Sequence, residues 1–348
     1  MRQDEIKIAS DRRDGLDFAA FNEFLISNLG LSGAARITPA TGGQSNPTFF
    51  VEIDDRQLVL RTKPAGTLAA SAHAIEREYR ILQALSGTDV PVPAPILYHA
   101  DNDVLGRPFY VMERIAGHVF HDAALEPVPR EKRRGLFMSM AQGMGALHRV
   151  DWSAVGLDDY GRATQYFERQ LSRWGRFWQE HGLGENQDLD AVIAWLLNNV
   201  PASDTAAINH GDFRIANMLF DSGLDRLAAV LDWELSTIGH PLADAAFSCL
   251  AYHSAPADNG GVMGLDLEQH GIPSQDEYLA AYYDAVGTAE RLEPFHMIFA
   301  LFRAGVGAES IASRAAQGQG MDHRSAEFGR RLGKTYARRA RDLISGVA

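Results

Sequence analysis

The sequence predicts an α+β protein in two parts, a β-rich N-terminal portion followed by a mainly helical remainder. Three observations carry that reading. Two short runs of β-branched, aromatic and aliphatic residues, 48–53 and 57–61, flank the turn Asp54-Asp55 as a hairpin would. A proline-studded break (Pro91, Pro93, Pro95) and a strand-like run at 109–115 then lead into Ala116-Gly117. Beyond Gly117, apolar residues recur at helical spacing: Leu136, Met140, Met144 and Leu147, then Phe167, Leu171, Trp174 and Trp178. The parts are therefore divided as 1–115 and 116–348, with a hinge at 113–117.

The elements follow in order. Phe18, Phe21, Leu25 and Leu29 predict an amphipathic helix over 17–29 that stops at Gly30. A glycine loop, Thr41-Gly42-Gly43-Gln44-Ser45-Asn46-Pro47, opens the first hairpin. Ile75, Tyr79, Leu82 and Leu85 predict a helix over 73–85, which the prolines end. In the second part, the strand-like segments 207–212, 217–220 and 227–233 surround a turn at Asp221-Ser222-Gly223 and form a second hairpin with acidic groups at both ends.

Composition excludes several classes. With 348 residues, 46% hydrophobic and 22% charged, the chain can bury a sizeable core. Its 33 basic and 45 acidic residues leave a net charge of −12, which repels a phosphate backbone, so no nucleic-acid partner is expected. Cys249, alone and among apolar neighbours, suits a buried thiol in a reducing compartment. Neither a secretory h-region in the first fifteen residues nor an uninterrupted apolar run of about 18 is present, so a cytoplasmic protein without a membrane partner is expected. No motif specifies an oligomeric state.

The chemistry concentrates in His210, Asp212, Asn217 and Asp232. Four residues separate Asp212 from Asn217, so a tight loop can aim a carboxylate at a hydroxyl while the amide oxygen turns toward a cation. The returning strand is expected to end at Asp232 and bring it beside Asn217. An amide oxygen and a carboxylate make a hard donor set that suits Mg²⁺ shared with phosphates. Asp212 is left to accept a proton, the division of labour that phosphoryl transfer requires.

The run His210-Gly211-Asp212-Phe213-Arg214-Ile215-Ala216-Asn217, followed by Leu231-Asp232-Trp233-Glu234, resembles the catalytic and metal motifs of the aminoglycoside phosphotransferase and choline kinase superfamily. Gly43-Gln44-Ser45-Asn46-Pro47-Thr48, Leu58-Val59-Leu60-Arg61 and the stretch 71–79 are most similar to the kinase-like phosphotransferase domain associated with acyl-CoA dehydrogenases. The resemblance runs from about residue 35 to the C-terminal helices. It implies a protein-kinase-like bilobal fold with a β-rich N-lobe, a mainly helical C-lobe, and ATP and Mg²⁺ bound between them. It also implies Asp212 as catalytic base, Asn217 and Asp232 as metal ligands, and Glu78 as the helix glutamate that pairs with a basic residue of the third strand. Glu113 to Ile115 match the adenine-receiving hinge, and Asp244 matches an acid that braces the catalytic loop.

Two departures from the pattern stand out. Arg61 occupies the position of the usual phosphate-binding lysine, with Lys63 two residues later; arginine can grip phosphate bidentately but with a different geometry. The loop holding Gly42, Gly43 and Ser45 lacks G-x-G-x-x-G, yet its place before the hairpin makes it a phosphate lid; no P-loop motif occurs. His118 and His121 lack companions at zinc-ligand spacing and are read as satisfied or solvated. Arg169, Arg173 and Arg176 form one basic edge beside Trp174 and Trp178, either a solvated face or a receiver for a carboxylate or phosphate. The basic residues between Arg324 and Arg341 are read as an exposed helix face.

The expected activity is an ATP- and Mg²⁺-dependent transfer of the γ-phosphate to a small-molecule hydroxyl, with a hydroxyacyl-CoA or hydroxy acid as acceptor. An aminoglycoside or choline-type kinase and a nucleotide-binding pseudokinase are the alternatives. No flavin-binding or dehydrogenase signature occurs.

Overall fold

The computed structural model describes residues 12–13, 15–40, 46–64, 75–181, 186–316 and 323–347. The chain divides into two compact units, Met1–Ala116 with Ala228–Glu234, and Gly117–Leu227 with Leu235–Ala348.

The first unit is built on a five-stranded antiparallel sheet in the order Arg36–Pro39, Thr48–Ile53, Arg56–Thr62, Phe109–Glu113, Pro95–His99. Alternation along Thr48–Ile53 turns Phe49, Val51 and Ile53 inward, where they join Phe18, Phe21 and Leu25 of the helix Phe18–Leu29 in one core. Gly30 ends that helix at φ +66°, as the sequence leads one to expect, and Asp17, read as its first residue, instead caps it by accepting from the Ala20 N–H. Two strands of this sheet escaped the sequence reading, Arg36–Pro39 and Pro95–His99. Both are sheet edges carrying a proline, and Pro95 sits at a register shift against Phe109–Glu113; an edge is where a missing N–H is tolerated. The helix Ile75–Leu85 buries Ile75, Glu78, Ile81, Leu82 and Leu85.

The sequence reading assigns all of 116–348 to the second part, whereas Ala228–Glu234 groups with the first unit. Val230 N–H donates to Pro91 O at 2.8 Å, and Asp232 accepts from Arg61. The strand Leu227–Val230 also stops two residues short of the expected end, because Asp232 turns to φ +66°.

The second unit is mainly helical. Its first element is nevertheless a short strand, His118–Val119, which pairs with Met218–Phe220 where a helical region is expected. Helix Arg130–Arg149 buries the predicted stripe Leu136, Met140, Met144 and Leu147. In Tyr166–His181, Phe167, Leu171 and Trp178 are buried, while Trp174 is half-buried and faces a cavity. Cys249 is fully buried, which pushes its thiol well up.

Helix Pro294–Ala316 is long and apolar enough over Pro294–Ala315 to cross a membrane by length and composition, yet 78% of its most apolar window is buried in the protein. It is a core helix, and His323–Val347 lies along it. The approach is close: a Cβ on Gly329 would come within 2.6 Å of Ala308 O, and one on Gly333 within 2.7 Å of the Glu309 side chain. Arg331 and Arg339 of that last helix are tied to Asp258, and Arg341 to Asp188, so part of its basic face is structural.

Candidate active site

The loop that carries Asp212 leaves the strand Ala207–Asn209, which pairs with Thr237–Gly239. Buried Asp244 fixes its first turn. One carboxylate oxygen accepts from the His210 N–H and the other from the Gly211 N–H at 2.8 Å. Burial pushes the Asp244 carboxyl up, but His148, His210 and the Gly211 N–H together hold it below the usual range. Asp244 also sits in the first turn of helix Pro241–Ser248, where the macrodipole favours an anion. Gly211 is required by geometry: its φ is +83°, and a Cβ there would lie 2.5 Å from Leu235 O. Its carbonyl accepts from Arg303.

The His210 ring is buried and its Nδ1 accepts from the Asp212 N–H at 3.2 Å, a structural role beside the site. At Asp212, Oδ2 receives Asn217 Nδ2 at 2.8 Å and Arg214 Nε at 3.3 Å. Oδ1 carries no hydrogen bond among the described residues. The loop thus uses one oxygen of Asp212 for orientation and presents the other. Asn217, in the 3-10 turn Ile215–Asn217, spends its amide nitrogen on the Asp212 carbonyl and carboxylate, which leaves its amide oxygen for another partner.

The first unit holds a separate charged cluster. Arg61 meets Glu78 at 2.6 Å and Asp232 at 2.9 Å, so the pairing of Arg61 with the helix glutamate is present and a second carboxylate joins it. Burial pushes the Glu78 carboxyl up to about 7 against the pull of Arg61, and Tyr110 adds a hydrogen bond. The two carboxylates keep the Arg61 guanidinium charged despite its burial. Lys63, by contrast, is exposed.

Other predicted residues fall as follows. The N–H of Glu113 donates to Ala94 O at 2.9 Å and that of Arg114 to Gln57 O at 3.0 Å, so the sheet consumes both; the Ile115 N–H has no such bond among the described residues. Gly42, Gly43 and Ser45 lie outside the described residues. Each donor by itself chemically suits Mg²⁺: in the second unit Asn217 keeps an amide oxygen, and in the first Asp232 offers a partly exposed carboxylate with one oxygen on Arg61. Among the described residues no cluster of three or more His, Cys, Asp or Glu could hold a metal alone.

A cavity of about 450 Å³ in the second unit is lined by Asp212 together with Arg214, Arg303 and Arg314. Sequence reasoning missed Arg303 and Arg314. Arg303 is a solitary basic residue in the apolar run 297–302 and its continuation, an anomaly that marks it in the sequence itself. A second cavity, about 790 Å³, is lined by Arg169, Arg173 and Arg176 and shares Trp174, Gly307, Ser310 and Arg314 with the first.

Residues 36–303 match the phosphotransferase enzyme family. The chain belongs to that family. Acyl-CoA dehydrogenase family member 10 of Mus musculus is 36% identical over 309 residues, which cover 86% of this chain and 28% of that protein. Acyl-CoA dehydrogenase family member 11 of Homo sapiens is 35% identical over 294 residues, covering 83% and 37%. The chain therefore spans about a third of the length of these relatives. Among solved structures, a Ralstonia eutropha JMP134 protein assigned to the aminoglycoside phosphotransferases superposes with a TM-score of 0.85 at 33% identity, over 94% of this chain and 99% of that one. Aminoglycoside phosphotransferase APH(4)-Ia, in a ternary complex with ADP and hygromycin B, shares the fold at a TM-score of 0.60 and 15% identity, over 92% and 98%. This phosphotransferase accordingly has the α+β, protein-kinase-like bilobal fold.

Proposed function

We propose that this phosphotransferase moves the γ-phosphate of ATP, with Mg²⁺, to the hydroxyl of an anionic small molecule, a hydroxy acid or hydroxyacyl-CoA. The observation that carries the reading is the charge around Asp212. Three guanidiniums line its cavity, Asp212 is the one carboxylate among the described lining residues, and much of the wall is apolar, including Phe137, Met140 and Leu250. The net charge of −12 favours a cationic acceptor at long range, but the local excess of arginine repels ammonium groups and attracts oxyanions. The apolar wall suits an acyl chain. The arginine-lined second cavity, with Trp174 and Phe177, suits a phosphorylated, aromatic tail. The names of the relatives point to the same acyl-CoA chemistry.

In this reading, Asp212 Oδ1 orients the acceptor hydroxyl and takes its proton as the oxygen attacks the γ-phosphorus and the bond to ADP breaks. Asn217 and Asp232 would offer oxygens to Mg²⁺, which when bound neutralises charge on the phosphates. Arg61 would supply further positive charge, and the Ile115 N–H would receive adenine.

The test is Mg²⁺-dependent ATP consumption across hydroxyacyl-CoAs, hydroxy acids, aminoglycosides and choline, with the Asp212→Ala protein as control. Turnover confined to the anionic acceptors and lost in the control is the expected result. A second reading, a nucleotide-binding pseudokinase, draws on the occupation of Arg61 by two carboxylates; ATP binding without turnover on any acceptor would favour it.

A further inference from the structure

Arg303 presents a physical problem. Its residue is only 8% exposed, in the middle of the core helix Pro294–Ala316, yet no carboxylate lies within ion-pair distance among the described residues. Its one hydrogen bond goes to the neutral carbonyl of Gly211. Its flanks are aromatic, with the Phe247 ring centroid 4.7 Å and the Trp174 centroid 5.8 Å from the guanidinium carbon. Arginine has five N–H donors, and a buried cation satisfied by one carbonyl and two ring faces is under-coordinated. Both its remaining donors and its charge call for an oxygen ligand, and it lines the cavity that Asp212 lines.

We infer that Arg303 is the acceptor-recognition residue of this phosphotransferase: its guanidinium binds an oxygen function of the acceptor, a carboxylate or thioester carbonyl, a few bonds from the reacting hydroxyl. This rests on the proposed transfer reaction and names the group that selects its substrate. The placement sets the spacing. Arg303 touches Gly211, the residue bonded to Asp212, and neighbouring Cα atoms are about 3.8 Å apart. An oxygen held by Arg303 and a hydroxyl facing Asp212 therefore belong to one short hydroxyacyl unit. The contact with Gly211 also ties the bound acceptor to the loop that aims Asp212. The flanking rings lie against the cation, an arrangement that favours a guanidinium over an ammonium there.

The experiment compares the wild-type chain with Arg303→Met and Arg303→Lys, using 3-hydroxybutyryl-CoA, 3-hydroxybutanoate and 1,3-butanediol as probes. Calorimetric affinity and the split between kcat and KM are the readouts. Wild-type protein is expected to bind 3-hydroxybutyryl-CoA at least tenfold more tightly than the diol, which lacks the carbonyl oxygen. Arg303→Met should raise KM for the thioester and carboxylate probes at least 30-fold and KM for the diol less than threefold, while the fall in kcat from the lost Gly211 contact is common to all three. Arg303→Lys should recover part of the loss, and it keeps the test open if the methionine variant fails to fold. Equal effects on KM for all three probes, or a wild-type protein indifferent to the carbonyl oxygen, would overturn the assignment. Arg303-dependent binding without turnover would sink the transfer reading and leave this one standing.

Discussion

Two buried arginines, one in each unit, are handled in opposite ways. Arg61 lies between Glu78 and Asp232, so its charge is answered twice within the protein. Arg303 is answered by a carbonyl and two ring faces. A buried cation paired with carboxylates is held in place by them, and breaking its pair leaves an uncompensated charge. One without a carboxylate partner has its electrostatic demand still open, and the cavity beside it is where the demand is met. The contrast separates an arginine whose charge is already met inside the protein from one whose charge is left for a ligand, though both are arginines at low exposure.

The largest effect is expected beside Arg303: Asp212→Asn should lower turnover by about 10²–10⁴-fold while nucleotide affinity, measured by calorimetry, stays unchanged. Glu78→Ala should cost about 3–5 kcal/mol in denaturant unfolding, because Arg61 then keeps only the partly exposed Asp232. Arg303→Met, by contrast, should cost less than about 1.5 kcal/mol, since an apolar side chain replaces a cation without a carboxylate partner. Equal losses for those two variants would remove the distinction between the arginines.

Smaller effects sharpen it. His296 is buried beside His240, which pushes its pKa down to about 4, so it folds neutral. Its contribution is present above about pH 6.5 and is lost as pH falls through 4, worth at most about 3 kcal/mol. His296→Gln should flatten the acid limb of a stability-versus-pH curve by that amount. Gly211→Ala forces a side chain into a left-handed backbone against Leu235 O and should cost about 1–3 kcal/mol, with a fall in kcat as the loop shifts.

Much of this was legible in the sequence, for reasons of range. The helix Phe18–Leu29 and the hairpin Thr48–Ile53 with Arg56–Thr62 are set by local periodicity and by Gly30 and the Asp54-Asp55 turn. The pairing of Arg61 with Glu78 follows from their motifs. What escaped depends on tertiary placement. The edge strands Arg36–Pro39 and Pro95–His99 take their conformation from neighbours and carry prolines that read as breaks. Asp232 was expected at a strand end, but its left-handed backbone and its bond to Arg61 arise from a partner 171 residues away. Arg303 lies 92 residues from Gly211, and local spacing cannot reveal that contact.

The tight seam between helices Pro294–Ala316 and His323–Val347 bears on how the chain is made. Synthesis runs from the N-terminus, so a helix of membrane-spanning length and apolarity leaves the ribosome before the 25-residue segment that packs against it. Until that segment arrives, the surface destined for Gly329 and Gly333 stays open to water, to other nascent chains and to bilayers. The second unit therefore completes its core only once residues 323–347 have been made, and a premature stop before residue 323 would release a product with its most apolar helix uncovered.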